Sequence, residues 1–320
     1  IAWMRVKEDG SLWAINPETG FFGVLPGTNS KTNPNAIKTM QKNTIYTNAL
    51  LKHDGTVWWE GADGPVPESG IDWTGKPWKP GLIDENGNPV KGANPNSRFT
   101  APIKQCPCAS PLIEDPEGVP ISAIVFGGRR ASLAPLVYQS FNWQHGVFIG
   151  SIMASEITAA QYGAHGTVRR DPMAMLPFCG YNMADYFRHW LNMGKIIKNQ
   201  PKIFHVNWFR TDKNGQFIWP GYGENLRVLE WIIERCSKDI ADDTKAIKTP
   251  IGYVPSVEDL DLEGLDISKS SINELLKIDN SQWLEEAEQI REFYSQFKEK
   301  LPNELNEELN NLIKRLKENK

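Results

Sequence analysis

Turn chemistry set between apolar runs constrains this chain more than any other feature of it. Ala2, Met4 and Val6 alternate with Trp3 and Arg5, and Glu8-Asp9-Gly10-Ser11 separates them from Leu12 to Ile15. The device returns at His53-Asp54-Gly55, between residues 43–51 and 56–59, and at residues 211–215, between 203–209 and 216–219. Such residues tolerate the tight turns that join neighbouring antiparallel strands. At least three hairpins are predicted, so the fold must contain antiparallel pairs. Because Ile1 stands inside the first of these apolar runs, the chain is expected to be a fragment of a longer protein.

Helices are predicted elsewhere. Asn182 is placed to cap a helix whose Met183, Tyr186, Phe187, Trp190 and Leu191 share one face, and Asn225 precedes a second run of Val228, Leu229, Trp231, Ile232 and Cys236. In the last 40 residues 16 are charged, which marks a solvated surface carrying two apolar stripes. One runs from Trp283 to Leu301, closed by Pro302, and the other from Leu305 to Leu316. A short buried strand is expected at 121–126, ended by Gly127-Gly128, and a long ordered loop over the Pro-, Gly-, Asn- and Trp-rich residues 61–96. The fold class that follows is α/β, a mixed sheet with several antiparallel hairpins and surrounding helices, with no internal repeat and no clear linker.

Composition removes several functions. With 40% hydrophobic and 23% charged residues and a mean hydropathy of −0.44, the chain reads as a soluble globular protein. It has no apolar run near the ~20 residues a membrane helix needs. A net charge of −4 gives no support to a nucleic-acid partner. Four cysteines are too few for a disulfide scaffold and fit a reduced, cytosolic setting. Cys106-Pro107-Cys108 lacks a second pair, and the five histidines show no ligand spacing, so structural cysteines and ordinary histidines are favoured over a metal site. No Gly-x-Ser-x-Gly occurs, and neither Thr74-Gly75-Lys76-Pro77 nor Met193-Gly194-Lys195-Ile196 completes a phosphate-cradling loop.

Arginines and aromatics are more informative. Asn94-Pro95-Asn96-Ser97-Arg98-Phe99 puts a guanidinium beside two amides and a hydroxyl, and Gly127-Gly128-Arg129-Arg130 puts two guanidinia at a strand end. The planar fork of arginine suits phosphate or carboxylate, although surface ion pairs and loop braces use the same residues. Residues 151–166 are rich in Ala and Gly, as a closing lid or an exposed loop would be. Phe204, Trp208, Phe209, Phe217, Trp219 and Tyr222, followed by Gly223-Glu224-Asn225, form the densest aromatic cluster. Such faces can sandwich a planar base while an amide reads its edge, or can simply be core.

Longer blocks carry a resemblance. Ala14-Ile15-Asn16-Pro17-Glu18, Gly20-Phe21-Phe22-Gly23-Val24, Lys31-Thr32-Asn33-Pro34-Asn35-Ala36, Trp143-Gln144-His145-Gly146-Val147 and Asp171-Pro172-Met173-Ala174-Met175 occur in this order. With them go the Asn94 and Gly127 blocks and Lys202 to Arg210, continued by Trp219 to Asn225. The chain resembles the C-terminal part of GTP-dependent phosphoenolpyruvate carboxykinases; their ATP-dependent counterparts differ at the last block. The resemblance implies a truncated nucleotide-binding domain over residues 1–320, a lid at about 151–170 and a helical tail at 281–320. It implies the conversion of oxaloacetate and GTP to phosphoenolpyruvate, GDP and carbon dioxide, in gluconeogenesis, by a cytoplasmic monomer using Mn2+ or Mg2+.

By the same resemblance Asn96, Ser97 and Arg98 would bind substrate, and Arg98 and Arg129 the GTP phosphates. Trp208, Phe209, Phe217, Tyr222, Gly223, Glu224 and Asn225 would hold guanine, with Tyr222 in place of the phenylalanine common in animal members. The family's Gly-Lys-Thr loop, reactive cysteine and metal-binding lysine, histidine and aspartate lie upstream of the matching segment. No metal ligand and no catalytic cysteine are therefore assigned here, Cys106 and Cys108 included, and the fragment alone is expected not to turn over. Two other readings stay open: a non-catalytic purine-nucleotide-binding module, and a tryptophan-rich carbohydrate-binding module.

Overall fold

The computed structural model of the chain describes residues 2–16, 18–157, 167–237 and 244–318. Contacts group them into two units, one of residues 1–4 and 14–119, the other of 5–13 and 120–320.

In the first unit Arg98–Pro102 is the central strand of a three-stranded antiparallel sheet, flanked by Gly20–Val24 and Ile45–Thr47. Leu25, Met40, Trp59, Ala93 and Phe99 form its core, with α1 (Pro34–Thr39) beside it. The run expected at 43–51 does not remain one strand. Asn48 adopts a φ of 58°, a left-handed conformation asparagine tolerates, and the chain enters a second sheet at Leu50–Leu51. There Leu50–Leu51 pairs with Val57–Trp58 across the His53-Asp54-Gly55 turn, the hairpin expected from the sequence. Residues 61–96 are not a loop throughout, because Gly70–Ile71 and Pro77–Trp78 complete this sheet. Strands of two residues are too short to show a period. They are held by the Trp58 and Trp78 rings, stacked 5.7 Å apart, and by the indole of Trp78, which donates to the Val90 carbonyl at 2.8 Å.

The second unit is built on a five-stranded mixed sheet ordered Ala123–Gly127, Lys202–Val206, Val137–Gln139, Gly252–Val254, Ile247–Thr249. The first two strands are parallel and the remaining pairs antiparallel. Successive side chains go to opposite faces: Ile203 and Tyr138 enter one core, Phe204 and Val137 another. On the first face pack α2 (Trp143–Ser151), α3 (Met183–Ile196), α6 (Asn280–Ser295) and α7 (Asn303–Glu318); on the second, α4 (Asn225–Arg235) and α5 (Lys269–Leu276).

Asn182 caps α3 by accepting from the amide of Ala184 at 2.9 Å. In the tail, Trp283, Ala287 and Ile290 of α6 and Leu305, Leu309, Leu312 and Leu316 of α7 are buried in the larger core. The stripe from Trp283 to Leu301 is not one helix, since α6 ends at Ser295 and a short 3-10 turn carries Phe297 and Leu301 inward. Two strand expectations also change. Ala123–Gly127 is an edge strand, so Val125 is exposed rather than buried. The third hairpin shrinks to a single bridge between Thr211 and Phe217, because Lys202–Val206 is drawn into the middle of the large sheet.

Candidate functional site

Two parallel neighbours end side by side, with Gly127 opposite Val206 in register. Loops leaving the carboxyl ends of such a pair must start together, which is where open α/β sheets place ligands. Here one loop is Gly128-Arg129-Arg130 and the other Asn207-Trp208-Phe209. The buried side chain of Asn207 joins them. Its Nδ2 donates to the carbonyls of Arg130 (2.8 Å) and Ala134 (2.9 Å), and its Oδ1 accepts from the amides of Arg130 and Phe209, both at 3.2 Å. This amide also peels the chain away from the third hairpin.

The two arginines part. Arg129 lays its guanidinium over the Phe209 ring, 4.2 Å from the centroid, and 5.6 Å from that of Phe217. The two phenylalanines meet edge to face at 5.8 Å. A cation is thus held against an aromatic wall, and no carboxylate among the described residues pairs with it. Arg130 turns inward to Glu286 of α6, at 3.3 and 3.2 Å, and so is no phosphate ligand in this arrangement.

Of the other aromatics, Trp208 is half-buried against the core that contains Trp219 and Trp231, whereas Tyr222 is 83% exposed. Gly221 precedes Tyr222 with φ 115° and ψ −155°, which a side chain would disfavour. Asn225 opens α4, and its Oδ1 accepts from the indole of Trp219 at 2.8 Å, which leaves its Nδ2 with no partner among the described residues. Glu224 is committed to Arg227 at 2.6 Å, and Gly223 is exposed.

Within the expected lid, residues 158–166 lie outside the described residues. Its base is a two-stranded antiparallel ribbon, Ala154–Glu156 against Val168–Arg170. The ribbon is sewn to the arginine loop. The amide of Arg129 donates to Ser155 Oγ (3.1 Å), the amide of Glu156 to the Arg129 carbonyl (2.8 Å), and the amide of Ala131 to Glu156 Oε1 (2.7 Å). Gly128 permits this approach, since a Cβ there would lie 2.5 Å from the Ala154 carbonyl oxygen. Arg170, at the ribbon's far end, reaches the same Glu286 at 2.7 Å. Burial pushes the Glu286 carboxyl up, but the hydrogen bonds and charges of Arg130 and Arg170 outweigh it and hold the group below the usual carboxylate range.

In the first unit, Arg98 begins the central strand, opposite Val24 on one side and Thr47 on the other. Its Nε and Nη2 donate to Asn96 Oδ1 at 3.2 and 3.1 Å, so the amide of Asn96 holds the exposed fork. Ser97 is wholly buried, and its Oγ has no hydrogen-bond partner among the described residues.

Among the described residues no three His, Cys, Asp or Glu side chains come together as a metal would require. His145 and His205 are core residues that burial keeps neutral, pushed down to about 3 and about 4. Cys106 and Cys108 face each other at 3.5 Å, both reduced. No helix among the described residues is long and apolar enough to cross a membrane.

Known proteins resemble this chain in sequence over nearly its whole length. A sequence model of the phosphoenolpyruvate carboxykinase C-terminal P-loop domain, GTP-dependent type, matches residues 1–315. The chain belongs to that family. It is 53% identical over 305 residues to the phosphoenolpyruvate carboxykinase [GTP] of Anaeromyxobacter sp. (strain K), covering 95% of this chain and 50% of that one. Against the protein of the same description from Chlamydia caviae it is 52% identical over 318 residues, covering 99% and 51%. The chain spans about half the length of the curated relatives it matches.

The blocks read from the sequence thus fall in strands, in the loops that follow them and, for Trp143 to Val147, in α2. The residues that support them were not legible. Asn207, Ser155, Glu156, Arg170 and Glu286 act through partners distant in sequence. The signals they leave are a buried amide closing the apolar strand Lys202–Val206, and one glutamate within the apolar stripe of α6.

Proposed function

We propose that this chain is the nucleotide-binding half of a GTP-dependent phosphoenolpyruvate carboxykinase. That enzyme converts oxaloacetate and GTP to phosphoenolpyruvate, GDP and carbon dioxide. The observation that carries the reading is Arg129 packed on Phe209 at the carboxyl ends of two parallel strands. It sets a phosphate-binding fork beside an aromatic surface for a base. Phe209, Phe217 and Tyr222 supply faces for guanine, with Trp208 behind them, and Asn225 reads the base edge with the amide that Trp219 orients. Gly223 and Glu224 shape this turn.

Asn96, Ser97 and Arg98 would take the substrate, and Arg98 the phosphates too; the unpartnered Ser97 hydroxyl and the braced Arg98 fork suit an anionic ligand. Preorganised guanidinia stabilise the charge spread over a transferring phosphoryl group. Residues 151–170 would act as a lid that keeps water from the enolate. A divalent ion, Mn2+ or Mg2+, would neutralise phosphate charge when bound. No cluster among the described residues would hold it. A monomer in the cytoplasm, serving gluconeogenesis, completes the proposal.

The test is phosphoenolpyruvate formation from oxaloacetate by the full-length protein, with GTP and then ATP. Formation with GTP in strong preference to ATP is expected. No phosphoenolpyruvate, or equal use of ATP, rejects the assignment.

A further inference from the structure

One planar amide fixes the backbone on both sides of the Arg129–Phe209 contact. Asn207 is wholly buried and directly follows the strand Lys202–Val206, and its main-chain N–H donates to the Leu136 carbonyl at 3.0 Å. Its side chain is saturated. Nδ2 gives both hydrogens, to the carbonyls of Arg130 and Ala134, and Oδ1 takes two, from the amides of Arg130 and Phe209. Turning the amide end for end would set N–H against N–H and oxygen against carbonyl, so the pattern admits one orientation. The Arg130 N–H belongs to the peptide that leaves Arg129, and the Phe209 N–H to the peptide that enters Phe209. A single oxygen therefore sets the chain just after one residue and just before the other, where their side chains meet at 4.2 Å. Farther along, the amide and hydroxyl of Thr211 reach the Ala131 carbonyl at 3.0 and 3.4 Å. That link ties the outer ends of the two loops and leaves their inner peptides to Asn207.

Resting on the reading of the site above, we propose that Asn207 is a positioning residue for phosphoryl transfer. It holds the Arg129 fork at a fixed span from the Phe209 face, so that a nucleotide seated by its base presents its terminal phosphate to the fork. Covalent structure sets the reach from base to phosphate, so a site that holds both ends works only while its two loops keep the matching span. Transfer is steep in position, and a misplacement of about 1 Å can cost about a hundredfold in rate. Stacking on a ring face is looser, since offset arrangements are favourable. The loss of Asn207 should therefore appear in kcat and leave nucleotide affinity nearly as it was. Substitutes cannot reproduce the pattern. Aspartate keeps an acceptor for the two amides but turns its second oxygen on two carbonyls, and serine brings one short hydroxyl to four partners.

The experiment follows phosphoenolpyruvate formation with GTP by the full-length protein, in Asn207→Ser, in Arg129→Lys and in the double variant. Rates are divided by the concentration of GDP-binding sites found by titration. The factor by which Arg129→Lys lowers kcat is the measurement, because any folding loss from Asn207→Ser falls on both members of its pair and cancels. With Asn207 present that factor should be about tenfold or more. With Asn207→Ser it should shrink to about threefold or less, since a fork already out of place has less to lose. Asn207→Ser alone should lower kcat about tenfold, with the GTP KM and the GDP affinity within about threefold of wild type. Asn207→Asp should behave the same way, and it carries the test should Asn207→Ser not fold. Wild-type protein that forms no phosphoenolpyruvate, or is indifferent to Arg129→Lys, overturns the site reading and this inference together. Wild-type turnover with the same Arg129→Lys factor in both backgrounds overturns the inference alone, even if the rates fall, for Asn207 is then only structural.

Discussion

Asn225 offers a perturbation in which fold and recognition should move apart. Its Oδ1 accepts from the indole of Trp219 at 2.8 Å, and Trp219 is 1% exposed, so that N–H has no water to turn to. Its Nδ2 is left to meet an acceptor, and under the proposed function that acceptor is the ring carbonyl of guanine. Asn225→Asp keeps an acceptor for Trp219 and places a negative charge at the first residue of α4. A helix N-terminus favours such a charge by ~0.3–1 kcal/mol, so stability should hold or rise slightly. The donor, however, is gone, and a carboxylate oxygen faces a carbonyl oxygen. Mispairing of that kind costs ~1–3 kcal/mol, about 5- to 150-fold in GDP affinity.

Asn225→Leu separates the two effects from the other side. It removes the donor and also strands the Trp219 indole, so GDP affinity and stability should both fall, the latter by ~1–3 kcal/mol. The assays are urea unfolding and GDP titration followed by tryptophan fluorescence, on the full-length protein. If Asn225→Asp binds GDP as the wild type does, the amide is not a guanine reader. If it loses stability as Asn225→Leu does, the bond to Trp219 is not what orients the side chain.

Tyr222→Ala should weaken GDP binding by ~1–3 kcal/mol through lost stacking, whereas Trp283→Ala, in the core, should leave the GDP response of the folded protein in place; equal losses in titrations would reject the pocket. Arg129→Lys keeps a cation for Phe209 but loses the bidentate fork, so steady-state kcat should drop about tenfold or more with GDP affinity less affected. Gly128→Ala would set a Cβ 2.5 Å from the Ala154 oxygen, and melting should show a loss of ~1–3 kcal/mol. His145 and His205 have depressed folded-state pKa values, about 3 and about 4, so their contribution is full above pH 6.5 and is lost as pH falls toward them. The unfolding free energy from urea titrations should decline by up to ~1.4 kcal/mol per histidine for each pH unit below 6.5, and a flat profile to pH 5 would contradict their burial as neutral rings.

What could be read in advance was what the chain decides locally. The Asn182 cap, the start of α4 at Asn225 and the leucine stripe of α7 depend on neighbours within a few residues, so spacing reveals them. The run of aromatics beside the Gly221 turn, proposed above to hold guanine, is likewise a local feature that the sequence displays directly. Errors arose where a distant partner decides. Residues 203–209 and 216–219 have the pattern of a hairpin, yet Asn207 finds its acceptors at Arg130 and Ala134, and the strand goes to Ala123–Gly127 instead.

Arg129 and Arg130 carry that point into the chemistry. Identical side chains at adjacent positions after the same two glycines received one reading from the sequence, phosphate or carboxylate recognition. Each then met a different partner: an aromatic ring for Arg129 and a carboxylate 156 residues away for Arg130. Successive residues of an extended loop face opposite ways, so one must turn toward the core when the other turns out. A guanidinium turned inward needs a buried anion, and only a residue brought by a later helix can supply it. Arg129, the arginine proposed to meet phosphate, is therefore left half-buried on Phe209 while its neighbour's charge is buried in an ion pair. The glutamate in the apolar stripe of α6 belongs to the same device as the loop it never approaches in sequence.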